Sequence, residues 1–131
     1  MDTLETDHFL IELPEEWFAE QDDETVLISD ESEVSTIELT PILIEKGVSK
    51  DNILADVLPA NAVQTVLGEQ GAFYHELSED GVFWREWVCE LPKGILIASH
   101  GMDEENKGMD DAIVDEILST LHIIEAQQKE K

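Results

Sequence analysis

The chain has 131 residues and a formal net charge of −25, from 32 acidic and 7 basic side chains. Its length fits one α+β domain over 1–131 with an ordered core over 7–124, and its 42% hydrophobic content is too high for a disordered acidic tail. The charge argues against nucleic acid as a partner, and no segment is long and apolar enough for membrane insertion.

The charge is uneven along the chain, and the cysteine content is low. The first 45 residues contain fifteen acids and no lysine or arginine. Cys89 is the single cysteine, which excludes an intrachain disulfide and favours a reducing compartment. The N-terminal sequence lacks the basic region and the apolar run of a signal peptide. With Met1 as the native start, we expect a cytoplasmic protein.

The first half of the chain is typical of short strands joined by acidic turns. Residues 8–13 are strand formers whose apolar side chains alternate onto one face, and Pro14 ends this strand because it has no N–H to donate. Acidic turns then separate strand candidates at 25–28 and 34–40. This pattern predicts a meander of three antiparallel strands with acidic corners, after which Pro41 indicates an edge or a bulge.

The second half predicts two helices that flank four hairpin-linked strands. Ser49 is a suitable N-cap for a helix that runs to about Leu58. A final helix is capped by Asp110, with its apolar residues on one face. The strand candidates between them are 63–67, 72–77, 82–91 and 95–100. The order βββ-α-ββββ-α predicts an antiparallel sheet of about six or seven strands packed with two amphipathic helices. Residues 1–6 and 125–131 are expected to be frayed ends.

A family resemblance rests on the opening segment Phe9-Leu10-Ile11-Glu12-Leu13-Pro14-Glu15-Glu16-Trp17, which ends in a P-x-x-W motif. With the acidic hairpin after it and the Trp-bearing hairpin at 82–100, the chain resembles the Mog1/PsbP-like fold. Many bacterial members begin with a strand, then Pro, two residues and Trp, although Glu16 stands where a small residue is usual. Trp17 is expected to plug one end of the core.

This resemblance implies binding rather than catalysis. The relatives include a Ran-binding nuclear import factor, extrinsic photosystem subunits and bacterial Eag-type chaperones, which escort toxin transmembrane segments to the type VI secretion system. The resemblance implies that an exposed face or an edge of the sheet meets a protein partner. It transfers no functional residue to this chain.

The residues themselves give no sign of catalysis, a metal site or a cofactor. The four histidines lie on separate predicted elements without zinc-binding spacing. Cys89 lies in mid-strand with no neighbouring cation, so an inert buried thiol is expected. The acidic turns lack the D-x-D-x-D-G spacing of a calcium loop. We therefore predict a protein that is not an enzyme.

The hairpin around Phe83-Trp84-Arg85-Glu86-Trp87 is the richest cluster in the sequence. Alternation places Arg85 and Trp87 on one face and Trp84 and Val88 on the other. The face of Trp87 is the more apolar and is predicted to be the helix-covered core. Arg85 is then expected to stack on an aromatic ring and to pair with an acid.

The predicted function is a non-enzymatic acidic protein-binding module of the chaperone, adaptor or immunity type. Its partner would be a protein that is basic or carries an apolar segment. The candidate binding residues on an open sheet face and at two acidic corners are Trp84, Val88, Tyr74, His75, Asp22, Asp23, Glu24, Asp30 and Glu31. Three alternatives stay open: that Trp84 and Val88 only pack, that the acids are a halophilic adaptation, and that the chain is a metal-dependent hydrolase.

Overall fold

The computed structural model describes residues 2–45 and 47–124. Within these ranges there are ten strands, two α-helices and a short 3-10 helix at Glu104–Asn106. The strands and helices in chain order are β1 (Asp2–Glu5), β2 (Phe9–Leu13), β3 (Trp17–Asp22), β4 (Thr25–Asp30), β5 (Ser35–Leu43), α1 (Lys50–Val57), β6 (Val63–Leu67), β7 (Gln70–Glu79), β8 (Val82–Leu91), β9 (Gly94–Asp103), α2 (Asp111–Ser119) and β10 (His122–Ile123).

The strands form two antiparallel sheets. The larger has seven strands in the order β3-β4-β5-β9-β8-β7-β6, and the smaller has three in the order β1-β2-β10. The small sheet and α2 pack on one face of the large sheet, which we call the inner face. The opposite face, which carries Trp84, is the outer face. The predicted α+β class with an antiparallel sheet is confirmed.

The core lies between the inner face, the small sheet and α2. Trp87, Cys89 and Leu91 alternate onto the inner face of β8, as predicted, and all three are buried. Trp17 is also buried in this core, as the sequence predicted. The small sheet and α2 contribute Phe9, Ile11, Leu13, Val114, Ile117 and Leu118. Alternation on the strands and the i, i+3, i+4 spacing on α2 account for this assembly.

The opening meander differs from the prediction. The strand at residues 9–13 belongs to the small sheet, and the meander is instead β3-β4-β5. The sequence pattern missed β3, whose residues after Ala19 are polar, because pairing with β4 outweighs weak strand propensity. Residues 2–5, expected to be frayed, pair with β2 as β1. The tail at 125–131 lies outside the described residues.

Pro41 lies in β5, at a position where this central strand is locally an edge. The ladder between β4 and β5 runs from Val26 opposite Leu39 to Ser29 opposite Thr36. Beyond it, Pro41 pairs only with β9, opposite Leu96. A residue without an N–H is tolerated there because one side of the strand has no partner.

Helix α1 begins as predicted, but it lies on the outer face. The Ser49 hydroxyl accepts a hydrogen bond from the backbone N–H of Asn52 at 3.3 Å, which is the expected N-cap. Lys50 Nζ donates to the carbonyl of Leu91 at 2.8 Å and lies 3.5 Å from Glu90 on the outer face of β8. Helix α1 therefore lies beside the outer face, near the end of β8.

Candidate functional site

The outer face has a cleft built around a half-buried tryptophan. Trp84 on β8 pairs with Gly101 on β9, and a side-chain Cβ at Gly101 would lie only 2.5 Å from the indole ring. The indole therefore rests directly on the Gly101 backbone. The cleft has a volume of about 470 Å³. We call it the Trp84 cleft and define it by Ser32, Glu33, Val34, Thr36, Glu38, Val82, Trp84, Gly101, Met102, Asp103 and Asn106.

The charged residues of the Trp84 cleft all have one sign. Glu33, Glu38 and Asp103 contribute carboxylates, and the described lining residues include no lysine or arginine. A cation that entered the cleft would meet carboxylates and an aromatic ring, and each of these groups attracts positive charge. The cleft is therefore suited to a lysine or arginine side chain.

A hydrogen-bonded turn carries one wall of the cleft. Asp30 Oδ1 accepts hydrogen bonds from the backbone N–H and the hydroxyl of Ser32, at 3.1 and 2.7 Å, and from the N–H of Glu33 at 3.2 Å. Glu33 has a positive φ of 56°. Asp30 is thus the residue that closes the turn, and it sets the position of Glu33 beside the cleft.

Phe18 on the edge strand β3 extends the same row of the outer face. It pairs with Ser29, which pairs with Thr36, which pairs with Gly101 beneath the indole. Phe18 is 57% exposed. Two aromatic side chains thus lie on one row of the outer face, separated by small polar side chains.

The structure does not bring the predicted aromatic patch together. Val88 shares the outer face with Trp84 but is buried at 2% exposure, so the expectation that it is open is wrong. Phe73 of β7 and Leu54 of α1 line one cleft together with Val88, so both elements border this part of the face. Tyr74 points to the inner face, where its ring lies 5.1 Å from that of Trp87.

His75 lies on the outer face as expected, but it is also buried. Its Nε2 lies 2.9 Å from Glu86 Oε1, and the Ser99 hydroxyl lies 3.4 Å from the other oxygen of that carboxylate. These contacts form a polar row next to Trp84. His75 therefore supports the sheet rather than offering a free surface.

The two predicted acidic corners lie at opposite ends of β4. Asp22 ends β3, and Asp23 and Glu24 form the turn before β4; all three are exposed, whereas Asp30 ends β4 and Glu31 follows it. A six-residue strand separates its ends by roughly 17 Å. Only the second corner adjoins the Trp84 cleft, so the acids do not form one patch.

The inner face holds a buried charged cluster around Arg85, the chain's single arginine. Its guanidinium carbon lies 4.9 Å from the centre of the Trp87 ring, and its terminal nitrogens lie 3.0 Å from Asp115 and 3.6 Å from Asp111. The predicted stacking and acid pairing are therefore confirmed. Because both aspartates belong to α2, the cluster fixes this helix to the sheet.

The guanidinium also donates hydrogen bonds to His100. Arg85 Nε and a terminal nitrogen lie 3.1 and 3.0 Å from His100 Nδ1, so this ring nitrogen is the acceptor. Burial first, and the charge of Arg85 second, lower the pKa of His100 to about 4, against the opposing effect of Asp110 and Asp115. His100 is therefore neutral at pH 7.

Burial also raises the pKa of two other groups. Burial and, to a smaller extent, the charge of Glu90 together raise the pKa of the Cys89 thiol to about 12, and the side chain is 2% exposed. Burial raises the pKa of Tyr74 as well, assisted by a hydrogen bond from the phenol to Glu76 at 2.5 Å. Neither group ionises near neutral pH, which confirms the buried, inert thiol expected of Cys89.

Sequence reasoning missed several residues of the Trp84 cleft. It named Trp84 but not Glu38 or Asp103, and it placed Glu33 in a turn without a role. Phe18 was missed because β3 was missed. The exposure of Phe18 could be predicted, because it alternates with Trp17, which is expected in the core. Its position on the row of Gly101 could not, because β4 and β5 lie between β3 and β9.

No family model and no curated protein matches the chain. Solved structures do match. A protein from Bacteroides thetaiotaomicron VPI-5482 has a TM-score of 0.60 and 16% identity, over 89% of this chain and 45% of that one. LpqN, which is involved in cell envelope biogenesis of Mycobacterium tuberculosis, has a TM-score of 0.58 and 12% identity, over 88% and 82% of the two chains. This chain thus spans less than half of the Bacteroides structure.

The solution structure of PsbP (CyanoP) from Synechocystis sp. PCC 6803 also matches, with a TM-score of 0.40 and 10% identity, over 88% of this chain and 86% of that one. A score of this size does not establish a common fold. At their identities, the Bacteroides protein and LpqN show a shared fold alone. A relationship to Mog1 or to Eag-type chaperones stays a prediction.

Two structural findings bear on membranes and metals. No helix in the described part of the chain is long and apolar enough to cross a membrane. Among residues 2–45 and 47–124, no three His, Cys, Asp or Glu side chains are grouped so as to hold a metal ion.

Proposed function

We propose that this chain is a non-enzymatic binding module that docks a basic segment of a protein partner in the Trp84 cleft. One observation carries this proposal: a half-buried indole lies fixed on Gly101 in a cleft whose charged residues are all acidic. A chaperone, an adaptor or an immunity protein would each act by docking a protein partner, and the partner's identity would decide among them. A cytoplasmic location is part of the same proposal.

The tryptophan supplies the anchor. Tryptophan is enriched among the few interface residues that contribute most of the binding free energy, because it buries a large area at a small entropic cost. The contact with the Gly101 backbone holds the ring before a partner arrives, which reduces the cost of ordering it on binding.

The acids supply selection and speed. Glu33, Glu38 and Asp103 favour a lysine or arginine side chain and disfavour an acidic one. The net charge of −25 attracts a basic protein over a longer range and raises its association rate at low salt.

The test is affinity capture from the native cell extract at low and moderate salt, followed by affinity measurements on the purified partner. We expect Trp84→Ala to weaken binding about 30-fold, since truncation of such an anchor costs about 2 kcal/mol. Leu43→Ala removes another exposed apolar side chain (52% exposed) outside the cleft and should change affinity less than about twofold. Absence of a specific partner at either salt would refute the proposal.

Two charge variants separate the cleft from general acidity. The first neutralises the cleft (Glu33→Gln, Glu38→Gln, Asp103→Asn), and the second neutralises the distant corner (Asp22→Asn, Asp23→Asn, Glu24→Gln). Each removes three charges, so an effect of net charge alone would be equal in both. We expect the first to slow association and flatten its salt dependence much more than the second. Equal effects would exclude the cleft as the docking site.

A salt series distinguishes docking from halophilic adaptation. Melting temperatures of the free protein are measured from low salt into molar salt. A steep rise in stability into molar salt supports adaptation to saline cytoplasm. A flat response, combined with a partner that moderate salt releases, supports docking.

A further inference from the structure

The two edges of the seven-stranded sheet differ in charge. β3, at one edge, carries Glu20 and Asp22 and leads into an acidic turn. β6, at the other edge, has the sequence VQTVL without a charged side chain. Charges, prolines and bulges are the usual means by which proteins protect an edge strand from pairing with another chain. β6 has none of them, since it contains no proline and its register with β7 is unbroken.

The free side of β6 is accessible. In the described part of the chain its only neighbour in the sheet is β7. Val63 and Val66 are 55% and 62% exposed, and the residues between them are exposed as well. Bonded and non-bonded pairs alternate along an antiparallel ladder, so every second residue of β6 directs its N–H and C=O outward. β6 thus presents both backbone groups and apolar side chains.

The strand is also held in place. Leu67, its last residue, is buried at 2% exposure. Gly68 follows with a positive φ of 63°, and a Cβ there would lie 2.2 Å from the carbonyl oxygen of Leu121. The turn between β6 and β7 therefore packs directly against Leu121, two residues after the end of α2. A partner strand would meet an edge that is already ordered, which lowers the entropic cost of pairing.

A cleft borders β6 on each face of the sheet. The inner cleft, of about 350 Å³, lies between β6 and α2 and is lined by Tyr74, Trp87 and Leu118, with the Arg85–Asp115 pair in its wall. The outer cleft, of about 560 Å³, lies beside α1. Side chains of an added strand alternate between the two faces, so successive residues would project into the two clefts.

We infer that β6 is a strand-addition site for an extended segment of a partner protein that carries apolar residues and lacks acidic ones. Backbone hydrogen bonds to the free edge supply affinity, and the two clefts select the side chains. Charge determines the occupant: a second copy of this chain also carries −25 and would be repelled, whereas a segment without acids is not. This site is separate from the Trp84 cleft, and the inference does not depend on the function proposed there.

Selection from a phage-displayed library of random nine-residue peptides tests this inference with the full chain as target. Val66→Lys places a charge on the exposed edge. Val48→Lys is the matched control, since Val48 is 48% exposed and lies outside the sheet. We expect enriched peptides to alternate apolar residues and to lack Asp, Glu and central Pro. The edge variant should bind an enriched synthetic peptide at least tenfold more weakly, and the control variant and Trp84→Ala should bind it as the unaltered chain does.

Amide hydrogen exchange and NMR shift mapping with that peptide locate the site. Protection and shifts at Val63–Leu67 support strand addition. Enrichment of proline-rich or acidic peptides, equal binding by Val66→Lys, shifts elsewhere or no enrichment at all would overturn it. Sedimentation of the chain alone adds one more outcome: self-association that Val66→Lys abolishes would assign the edge to a second copy and overturn the inferred occupant.

Discussion

His100 should set an acid limit on the stability of the fold. Its ring is fully buried on the inner face and accepts hydrogen bonds from Arg85 through Nδ1. Protonation would place a second positive charge against the guanidinium, away from water. Burial first, and Arg85 second, therefore lower the pKa of His100 to about 4 from its ordinary 6.5, although Asp110 and Asp115 act in the opposite direction.

The sign of the effect follows from the order of the two pKa values. The unfolded chain binds the His100 proton near pH 6.5, whereas the folded chain binds it near pH 4. Between these values the unfolded state holds more protons, so stability rises with pH. The contribution of neutral His100 is complete above about pH 6.5 and is lost as the pH falls towards 4. At about 1.4 kcal/mol per pKa unit, the loss is about 3 kcal/mol.

The assay compares urea unfolding of the chain with that of His100→Asn from pH 7 to pH 4. The asparagine oxygen can accept from Arg85 in place of Nδ1 and binds no proton. The 32 acidic side chains are the same in both proteins, so their contribution to the pH dependence cancels in the difference. We expect the stability advantage of His100 over Asn to shrink by about 2–3 kcal/mol towards pH 4.

His122→Asn provides the matched control, because the His122 side chain is 57% exposed. This variant should follow the pH dependence of the unaltered chain closely. If the curves of the unaltered chain and His100→Asn stay parallel from pH 7 to 4, the burial argument is wrong.

Three further predictions concern packing. Gly101→Ala places a Cβ 2.5 Å from the Trp84 ring, so the ring must move outward; we expect a red-shifted emission and a loss of about 1–3 kcal/mol in urea unfolding, and unchanged emission would contradict this packing. Gly68 has a positive φ, and the Cβ of Gly68→Ala would lie 2.2 Å from the backbone carbonyl oxygen of Leu121. This variant should therefore lose about 3 kcal/mol of unfolding free energy in the same assay. Gly71→Ala is the control: open space surrounds Gly71, so it should lose under about 1 kcal/mol. Native Cys89, buried and with its pKa raised to about 12, should react with a thiol reagent only as fast as the chain opens; rapid reaction in native buffer would disprove this burial.

The sequence predicted those parts of the fold in which the periodicity of one segment is enough to determine which side chains are buried. β8 lies between two neighbouring strands and under α2, so its alternation separates Trp87 from Trp84 without ambiguity. The same alternation places Arg85 among apolar residues, where only an acid and an aromatic face can stabilise a guanidinium. Both partners were therefore predictable in kind, although α2 as the source of the aspartates was not.

The predictions that failed depend on contacts distant in sequence. Alternation along β8 places Val88 on the same face as Trp84, but it does not show that Val88 is buried there, beside a cleft that Leu54 of α1 also lines. Likewise, Tyr74 and His75 are neighbours in sequence and necessarily point to opposite faces of β7. The candidate patch combined residues from both faces, and only the register of β7 against β8 separates them.

The acidic residues serve at least two physical purposes: some build turns, and others line the Trp84 cleft. Four described non-glycine residues have a positive φ, and all of them are acidic: Glu16, Asp23, Glu33 and Asp80. Asp30 closes its turn through three hydrogen bonds, so part of the acid content builds corners. Glu38 and Asp103 make no such turn and instead line the Trp84 cleft. The net charge alone therefore cannot identify a docking surface. The acids that lie beside Trp84 and build no turn are the ones whose removal should weaken binding without affecting the fold.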